Sequence, residues 1–227
     1  MGRYVNLKIT FKMSQNSDVV LPNSAFDSVL ARLYFDKQKS ENTFNGDYDQ
    51  ELPFLEKSDG VYHTSFPIAK VKAFQNRTIT KSFDKVGFAS TGGKISSAME
   101  EIKKGRYKAW FESFEAMIVD KVVYYVRGDI NVIYDLLKGL RYLGKKASIG
   151  MGKIKETIIE EIKDDYSLVQ NNSPMRNLPS IEKYNNLNNS SKVLMPLNPP
   201  YWKNYRNVEC IVSNSFIDEV KQWVIKS

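Results

Sequence analysis

The residues that decide the fold are Arg127–Lys155, RGDINVIYDLLKGLRYLGKKASIGMGKIK. Apolar residues recur at helical spacing after Asp129, which predicts a capped amphipathic helix with one buried face. Gly144 predicts the end of that helix. Lysines then surround glycines whose backbone can approach a ligand closely, and the residues of interest are Lys145, Lys146, Ser148, Gly150, Gly152 and Lys153. A loop of this composition favours a ligand that carries phosphate groups.

The loop does not fit the common nucleotide-binding motifs. A Walker loop needs a hydroxyl residue after glycine and lysine and leads from a strand into a helix, but Ile154 follows Lys153 here. This loop leaves a helix and enters residues Ile154–Ile162, which we interpret as a strand although their spacing also suits a helix. The dinucleotide-binding pattern fails because a third glycine is missing. The loop is therefore expected to be neither the phosphate loop of a nucleotide hydrolase nor a dinucleotide site.

Outward from this stretch, the chain alternates strands and helices. The predicted elements are a strand around Val5–Phe11, a helix from Phe26 to Tyr34 ending before Gln38, a strand at Val61–Ala69 that Pro67 ends or places on a sheet edge, and a two-stranded hairpin formed by Arg106–Val119 and Lys121–Val126. The order βαββαβ predicts an α+β, ferredoxin-like (RRM-like) core with an antiparallel sheet. Both helices would cover one face of the sheet, which leaves the other face free to bind.

The chain is expected to be a single domain over residues 1–227, with a core at 3–69 and 106–162, a basic insert at 70–105 and a C-terminal extension at 163–227. The insert mixes lysines with phenylalanines, which suits a surface that follows a nucleic-acid backbone and stacks on bases. Its candidate RNA-binding residues include Lys81, Lys85 and Lys94. The alternative is a solvated insert whose phenylalanines cover the domain.

Composition limits the class of protein. The net charge of +7 and the pI near 9.2 suggest a polyanionic partner, although a merely basic protein is an alternative. The single cysteine, Cys210, excludes a disulfide within the chain and a zinc site built from cysteines, and it fits a reducing compartment, so a cytoplasmic location is expected. No apolar run approaches the ~20 residues of a membrane span, so no membrane partner is expected.

Few residues suggest catalysis. His63 is the only histidine and could act as a general acid or base in RNA cleavage, whereas the alternative is a hydrogen-bonded histidine at a sheet edge. The carboxylates form no metal-ligand grouping, so neither a metal nor a cofactor is expected. Near the C-terminus, Pro199 and Pro200 precede Tyr201, Trp202 and Tyr205 with Lys203 and Arg206. These aromatic residues could stack on bases, or Trp202 could fill the core.

An ordered set of segments resembles the RAMP superfamily of CRISPR-associated proteins, and most closely a type IV effector subunit related to the Cas-five group. The segments are Asn6–Met13, Pro22–Arg32, Gly105–Trp110, Val122–Asp129, Leu143–Ile154 and Asn198–Trp202. Together they span most of the chain in order, outside the loops at 38–55 and 164–191. Family loops often place an aromatic residue between the glycines, where Met151 stands here.

The resemblance implies a non-catalytic RNA-binding subunit of a CRISPR effector complex that holds the 5′ handle of the guide crRNA. Its partners would be backbone-type RAMP subunits and other subunits of the complex, with target DNA as a further candidate. The insert would be a thumb that grips the handle, and Arg127 would join the loop residues in binding RNA. Two alternatives are a RAMP endoribonuclease that processes repeat RNA with His63, and a single-strand RNA binder without sequence preference.

Overall fold

The computed structural model describes residues 3–15, 18–21, 24–81, 110–188, 191–203 and 207–213, and the backbone of strand residues 217–218. The chain divides into two compact units, one formed by Met1–Ala73 with Met117–Ser227 and the other by Phe74–Ala116. Within these ranges the α-helices are α1 (Asp27–Ser40) and α2 (Ile130–Leu137). The longer strands are β1 (Tyr4–Met13), β5 (Ala69–Lys81), β6 (Trp110–Val119), β7 (Lys121–Asp129) and β8 (Ile154–Ile162).

Shorter strands complete the described secondary structure. They are β2 (Asp18–Val19), β3 (Lys57–Ser58), β4 (Val61–Tyr62), β9 (Val169–Gln170), β10 (Ser173–Pro174), β11 (Leu178–Pro179), β12 (Lys192–Met195), β13 (Val208–Ile211) and β14 (Ile217–Asp218). Short 3-10 helices occupy Ala147–Ile149 and Glu182–Tyr184. None of the helices in the described ranges combines the length and the apolar character needed to cross a membrane.

A three-stranded antiparallel sheet in the order β7-β1-β8 forms the centre of the first unit. Alternate residues of β1 and β7 are buried on one face, as the period of two predicts, and they include Leu7, Ile9 and Tyr124. The helices α1 and α2 contribute buried residues to the same core. The ring of Phe26, just before α1, stacks on Tyr124 with 4.3 Å between centroids. The predicted α+β class is therefore confirmed.

The predicted strand at Val61–Ala69 is wrong as a continuous element. Val61–Tyr62 forms a short strand, β4, which pairs with β3, and the next strand, β5, begins only at Ala69. Between them, Thr64 and Ile68 form isolated bridges to β7, and Leu55, which precedes β3, forms another. Pro67 lies between the bridges and has no backbone N–H to donate, which is consistent with the interruption. The edge of β7 is thus bordered by single bridges where a regular fourth strand was expected.

The predicted hairpin is also wrong, although both of its strands exist. β6 lies between β5 and β2 in one sheet, whereas β7 pairs with β1 in another. Only Asp120 separates the two strands, and the shortest common hairpin turn has two residues. Side-chain type favoured an extended backbone at both positions but did not specify the pairing partner.

The helix α2 begins as predicted and ends early. The Asp129 carboxylate accepts a hydrogen bond from the backbone N–H of Asn131 at 3.0 Å, which confirms the predicted N-terminal cap. The helix stops at Leu137 instead of continuing to Gly144. Leu140 and Leu143 remain buried from the non-helical segment that follows, so the apolar spacing persists without the helix. The helix α1 runs to Ser40, beyond its predicted end.

The C-terminal extension builds a small second core around β11, β12 and β13. Arg176, fully buried, ties this extension to the start of α1. Its guanidinium donates to Asp27 Oδ2 at 2.9 Å, to Thr64 Oγ1 at 3.0 Å, and to the backbone carbonyl of Leu197. A buried charge needs such partners, because an unpaired one costs several kcal/mol. The network holds the segment around Leu197 against α1.

Candidate nucleic-acid interface

Position 152 of the glycine loop requires a glycine. Its φ is +69°, and a Cβ atom there would lie 1.9 Å from the carbonyl oxygen of Leu143. Its N–H donates to the carbonyl of Asp18 at 2.6 Å. Gly150, with φ +86°, lies at the exposed end of the loop, where an added Cβ atom would meet no other atom within 4 Å. The two glycines therefore serve close packing and a left-handed turn, respectively.

The base of the loop is held by backbone hydrogen bonds on both sides. The N–H of Lys145 donates to the carbonyl of Val20 at 2.8 Å, and the N–H of Leu143 donates to that of Gly152 at 2.8 Å. The N–H of Ile154 donates to the carbonyl of Arg141 at 2.9 Å. Above this base lies the short 3-10 helix Ala147–Ile149, which Gly150 ends. The loop thus has a fixed base, with Lys145, Ser148, Gly150 and Lys153 exposed around it.

A groove of about 800 Å³ lies between α2, the segment 140–142 and β8. We call it the loop groove, and its polar and aromatic lining includes Tyr134, Lys138, Arg141, Tyr142, Lys153, Lys155 and Glu156. Four of these residues are cations and one is a carboxylate. Among the described residues, neither Arg141 nor Lys155 forms a salt bridge, and the same holds for the adjacent Lys145. The loop groove is therefore a concave surface with excess positive charge.

Aromatic rings accompany the cations in the loop groove. Tyr134 on α2 is 56% exposed, and the Lys138 Nζ lies 4.9 Å from its ring centroid. Tyr142 is half-buried. The sequence analysis missed Tyr134, Lys138, Arg141, Tyr142 and Lys155. The spacing of Tyr134 and Lys138, four residues apart on one helix, was the available signal, since such residues are neighbours on a helix surface.

The structure brings together the loop residues Lys145, Lys146, Ser148, Gly150, Gly152 and Lys153, but not the other predicted RNA-binding residues. Arg127 lies on β7, where its Nε forms an ion pair with Glu56 Oε2 at 2.5 Å. It does not line the loop groove. Lys81 ends β5 in the second unit. Lys85 and Lys94, with most of the predicted thumb, lie outside the described residues.

The open face of the central sheet, which carries Lys8, Lys12, Tyr125 and Arg127, has a different charge pattern. Lys8 Nζ lies 3.4 Å from Glu160 Oε2, and Lys12 Nζ lies 2.9 Å from Glu156 Oε2. With the Arg127 pair, three cations of this face have neighbouring carboxylates, whereas the exposed Lys121, opposite Lys12, forms no salt bridge within the described residues. The ring of Tyr125 meets that of Tyr166 edge to face, with 5.4 Å between centroids. Most cations of this face are therefore paired, and the face is partly covered.

His63 is held at both ring nitrogens. Its Nδ1 donates to Asp165 Oδ2 at 2.7 Å, and its Nε2 lies 2.6 Å from Ser58 Oγ. Its side chain is 12% exposed. Burial acts to raise the pKa of Asp165, but hydrogen bonds from His63 and Ser167 outweigh it and lower that pKa.

The order serine, histidine, aspartate is also that of hydrolase triads. Here it joins the end of β3 and the residue after β4 to the segment after β8, and His63 does not line the loop groove. Within the described ranges, no group of three or more His, Cys, Asp or Glu residues is placed to hold a metal ion.

The two aromatic residues after Pro200 have opposite environments. Tyr201 is half-buried, and its hydroxyl donates to the buried Asp27 Oδ1 at 2.7 Å. Burial and the Asp27 carboxylate raise the pKa of Tyr201 well above its ordinary value, against the effect of Arg176. Trp202 is 71% exposed, so the alternative that it fills the core is wrong. Tyr205 and Arg206 lie outside the described residues.

One protein family matches this chain over most of its length. A family model described as CRISPR type IV associated protein Csf3 matches residues 6–213. One solved structure similar to this chain is described as "Cryo-EM structure of the Type III-B Cmr-beta bound to cognate target RNA", with 12% identity and a TM-score of 0.40. The match covers 70% of this chain and 61% of that chain. A search of curated proteins found no match.

Proposed function

Because the chain belongs to the family of the CRISPR type IV associated protein Csf3, we propose that it is a non-catalytic RNA-binding subunit of a CRISPR effector ribonucleoprotein that holds the 5′ handle of the guide crRNA. The handle would lie in the loop groove. The observation that carries this proposal is the set of exposed cations around the groove, Arg141, Lys145 and Lys155, which have no salt-bridge partner among the described residues.

The architecture supports a ferredoxin-like core as the frame of this site. The strand order β7-β1-β8, with a helix after β1 and another after β7, matches the order expected of three strands in that fold. The isolated bridges to β7 occupy the position of the fourth strand. In this frame the glycine loop connects α2 to β8, at the end of the helix-covered face.

The chemistry of the loop groove suits single-stranded RNA. Lysine and arginine neutralise phosphates, and exposed aromatic rings such as Tyr134 stack on bases. The open face of the sheet lacks this combination, because carboxylates already neighbour Lys8 and Lys12. We therefore place the handle in the loop groove and not across the sheet.

The wider assignment follows from the family. Backbone-type RAMP subunits and other effector subunits would be the protein partners, target DNA would be a further one, and the complex would act in the cytoplasm. The basic insert over residues 70–105 would serve as the thumb beside the handle. These assignments rest on family membership and on charge.

The handle proposal is tested by measuring the affinity of the purified chain for two RNAs of equal length, one with the repeat-derived 5′ handle and one with that handle scrambled. Tighter binding to the handle RNA is expected, and equal affinities would remove handle recognition. The double variant Arg141→Ala/Lys145→Ala should bind the handle RNA at least about tenfold more weakly. The matched control is Lys8→Ala/Lys12→Ala, with the same charge change on the open face; equal losses would remove the loop groove from the site.

The non-catalytic part of the proposal is tested by incubating the chain with repeat RNA in the absence of divalent metal. Wild type should leave the RNA intact, because the His63 side chain is only 12% exposed and does not line the loop groove. Cleavage by wild type that disappears in His63→Ala would replace this part with the RAMP endoribonuclease alternative.

A further inference from the structure

A second cavity, of about 380 Å³, lies against α1 and is lined mainly by apolar and aromatic side chains. We call it the aromatic pocket; its lining includes Phe35, Tyr48, Pro200 and Trp202, together with the cations Arg32 and Lys39. The Trp202 and Tyr48 rings meet at 70° with 6.3 Å between centroids. Tyr48 meets Phe35 at 89° with 5.5 Å between centroids. Most of the Trp202 side chain nevertheless remains exposed.

Residues 201–203, which carry Trp202 into the lining of the aromatic pocket, are anchored by side-chain bonds before and after Trp202. Before it, Tyr201 is bonded to Asp27, and Arg176 donates to the Tyr201 hydroxyl at 3.1 Å. After it, Lys203 Nζ pairs with Asp49 Oδ2 at 2.5 Å, which links this wall to the segment that contains Tyr48. The exposed indole is therefore presented by an anchored backbone. Because the backbone is anchored, less conformational freedom is lost there when a flat ligand stacks on the indole.

The aromatic pocket and the loop groove each share lining residues with a third, smaller cavity. A small cavity of about 140 Å³ between them is lined by Lys145 and Gly144 among others. It shares Ser28 and Arg32 with the aromatic pocket and Tyr142 with the loop groove. Arg32 is exposed and forms no salt bridge within the described residues. A chain of phosphates leaving the loop groove past Lys145 therefore meets a further cation, and then the aromatic pocket.

We propose that the aromatic pocket binds one nucleobase of the single-stranded RNA whose phosphates lie in the loop groove and beside Arg32. This inference rests on the proposed function and adds a base-binding site to it. A base suits the pocket because its π-face stacks on an aromatic ring and its phosphate carries the charge that Arg32 complements. Asp36 also lines the pocket, and its carboxylate can accept a hydrogen bond from the exocyclic amino group of adenine, cytosine or guanine.

The test removes one nucleobase of the RNA and the indole ring of Trp202, separately and together. In handle-containing RNA, single abasic nucleotides are placed at each position in turn, and affinity is measured for wild type and for Trp202→Ala. One position should weaken wild-type binding about tenfold or more, and the same RNA should bind Trp202→Ala no more weakly than intact RNA does. Trp202→Phe, which keeps a ring, should retain the sensitivity of wild type at that position.

The matched control is Leu194→Ala, because Leu194 is 70% exposed, close to the 71% of Trp202, and lies on β12. This variant should keep the abasic sensitivity of wild type.

Two results would overturn the inference and leave the proposed function standing. In the first, wild type binds RNA but no abasic position weakens binding. In the second, an abasic position weakens binding by wild type and by Trp202→Ala alike. Trp202→Ala that binds RNA normally but no longer assembles with the effector subunits assigns the pocket to a protein and also overturns it. Absence of any RNA binding by wild type ends both proposals together.

Discussion

The loop groove and the open face of the central sheet carry similar numbers of cations but differ in what surrounds them. On the open face, β8 supplies Glu156 and Glu160 opposite Lys12 and Lys8. In the loop groove, Arg141 and Lys155 have no salt-bridge partner among the described residues. Exposed ion pairs contribute little stability, but they cancel the charge that would attract a polyanion. The contrast teaches that the location of carboxylates, more than the number of lysines, separates a binding surface from a solvated one.

The difference between the two regions depends first on the shape of the glycine loop. Replacing Gly152 should disturb that shape most strongly. Gly152→Ala places a Cβ atom against the Leu143 carbonyl in a left-handed backbone, so the free energy of unfolding should fall by about 3 kcal/mol. Urea denaturation measures this change. The matched control, Gly150→Ala, has the same backbone hand but open space, and should cost only about 1–2 kcal/mol. Equal losses would show that the close approach at Gly152 does not matter.

Removing the cations of the loop groove should affect RNA binding next most strongly. The triple variant Arg141→Ala/Lys145→Ala/Lys155→Ala should weaken binding about 10- to 100-fold, and the slope of log affinity against log salt should become shallower by about 2. Titrations at several salt concentrations measure both quantities. A slope that equals that of wild type would mean that these cations contact no phosphate.

The hydrogen bond between His63 and Asp165 lies next to Tyr166, whose ring meets Tyr125 on the open face. Because the pKa of Asp165 is lowered in the folded chain, its carboxylate stabilises the fold above its ordinary pKa of 3.8, and that stabilisation is lost as the pH falls through the lowered value. Asp165→Asn should cost about 1 kcal/mol at neutral pH and should lack this acid-dependent loss. Urea denaturation at neutral and acidic pH tests this, with Asp164→Asn as the control. An acid profile identical to that of wild type would contradict it.

The smallest expected effect concerns Glu156, which belongs to both regions because it pairs with Lys12 and also lines the loop groove. Glu156→Gln should raise RNA affinity roughly threefold at low salt, since it removes a negative charge that lines the loop groove. Glu160→Gln is the matched control: it also breaks a lysine pair on β8, but Glu160 does not line the groove. An equal increase in both variants would show that net charge alone sets the affinity.

Much of the local structure followed from the sequence. The alternation in β1 placed Leu7 and Ile9 in the core, and Asp129 capped α2 as its position predicted. Glycine spacing identified the loop, and the positive φ angles of Gly150 and Gly152 confirm that the backbone there needs glycine. These features depend on residues near one another in the chain, so local rules suffice to predict them.

The pairing of strands did not follow from the sequence. β6 and β7 are adjacent and both rich in aromatic and β-branched residues, yet they lie in different sheets. Such side chains favour an extended backbone wherever the partner lies. The helix α2 likewise stopped at Leu137, although Leu140 and Leu143 continue to be buried. The spacing of apolar residues therefore predicts which side chains are buried, but not whether the backbone that carries them is helical.

The sequence by itself determined the class of fold, the glycine loop and the basic character of the chain, because these depend on residue type and on short spacings. Only the tertiary structure decided which cations lack a salt-bridge partner and can therefore contact a phosphate. It paired Arg127 with Glu56 and Lys8 with Glu160, and it gathered Arg141, Lys145 and Lys155 around one groove. It also turned Tyr201 inward and Trp202 outward. Charge pairing and ring exposure are properties of neighbours distant in sequence, and folding alone brings those neighbours together.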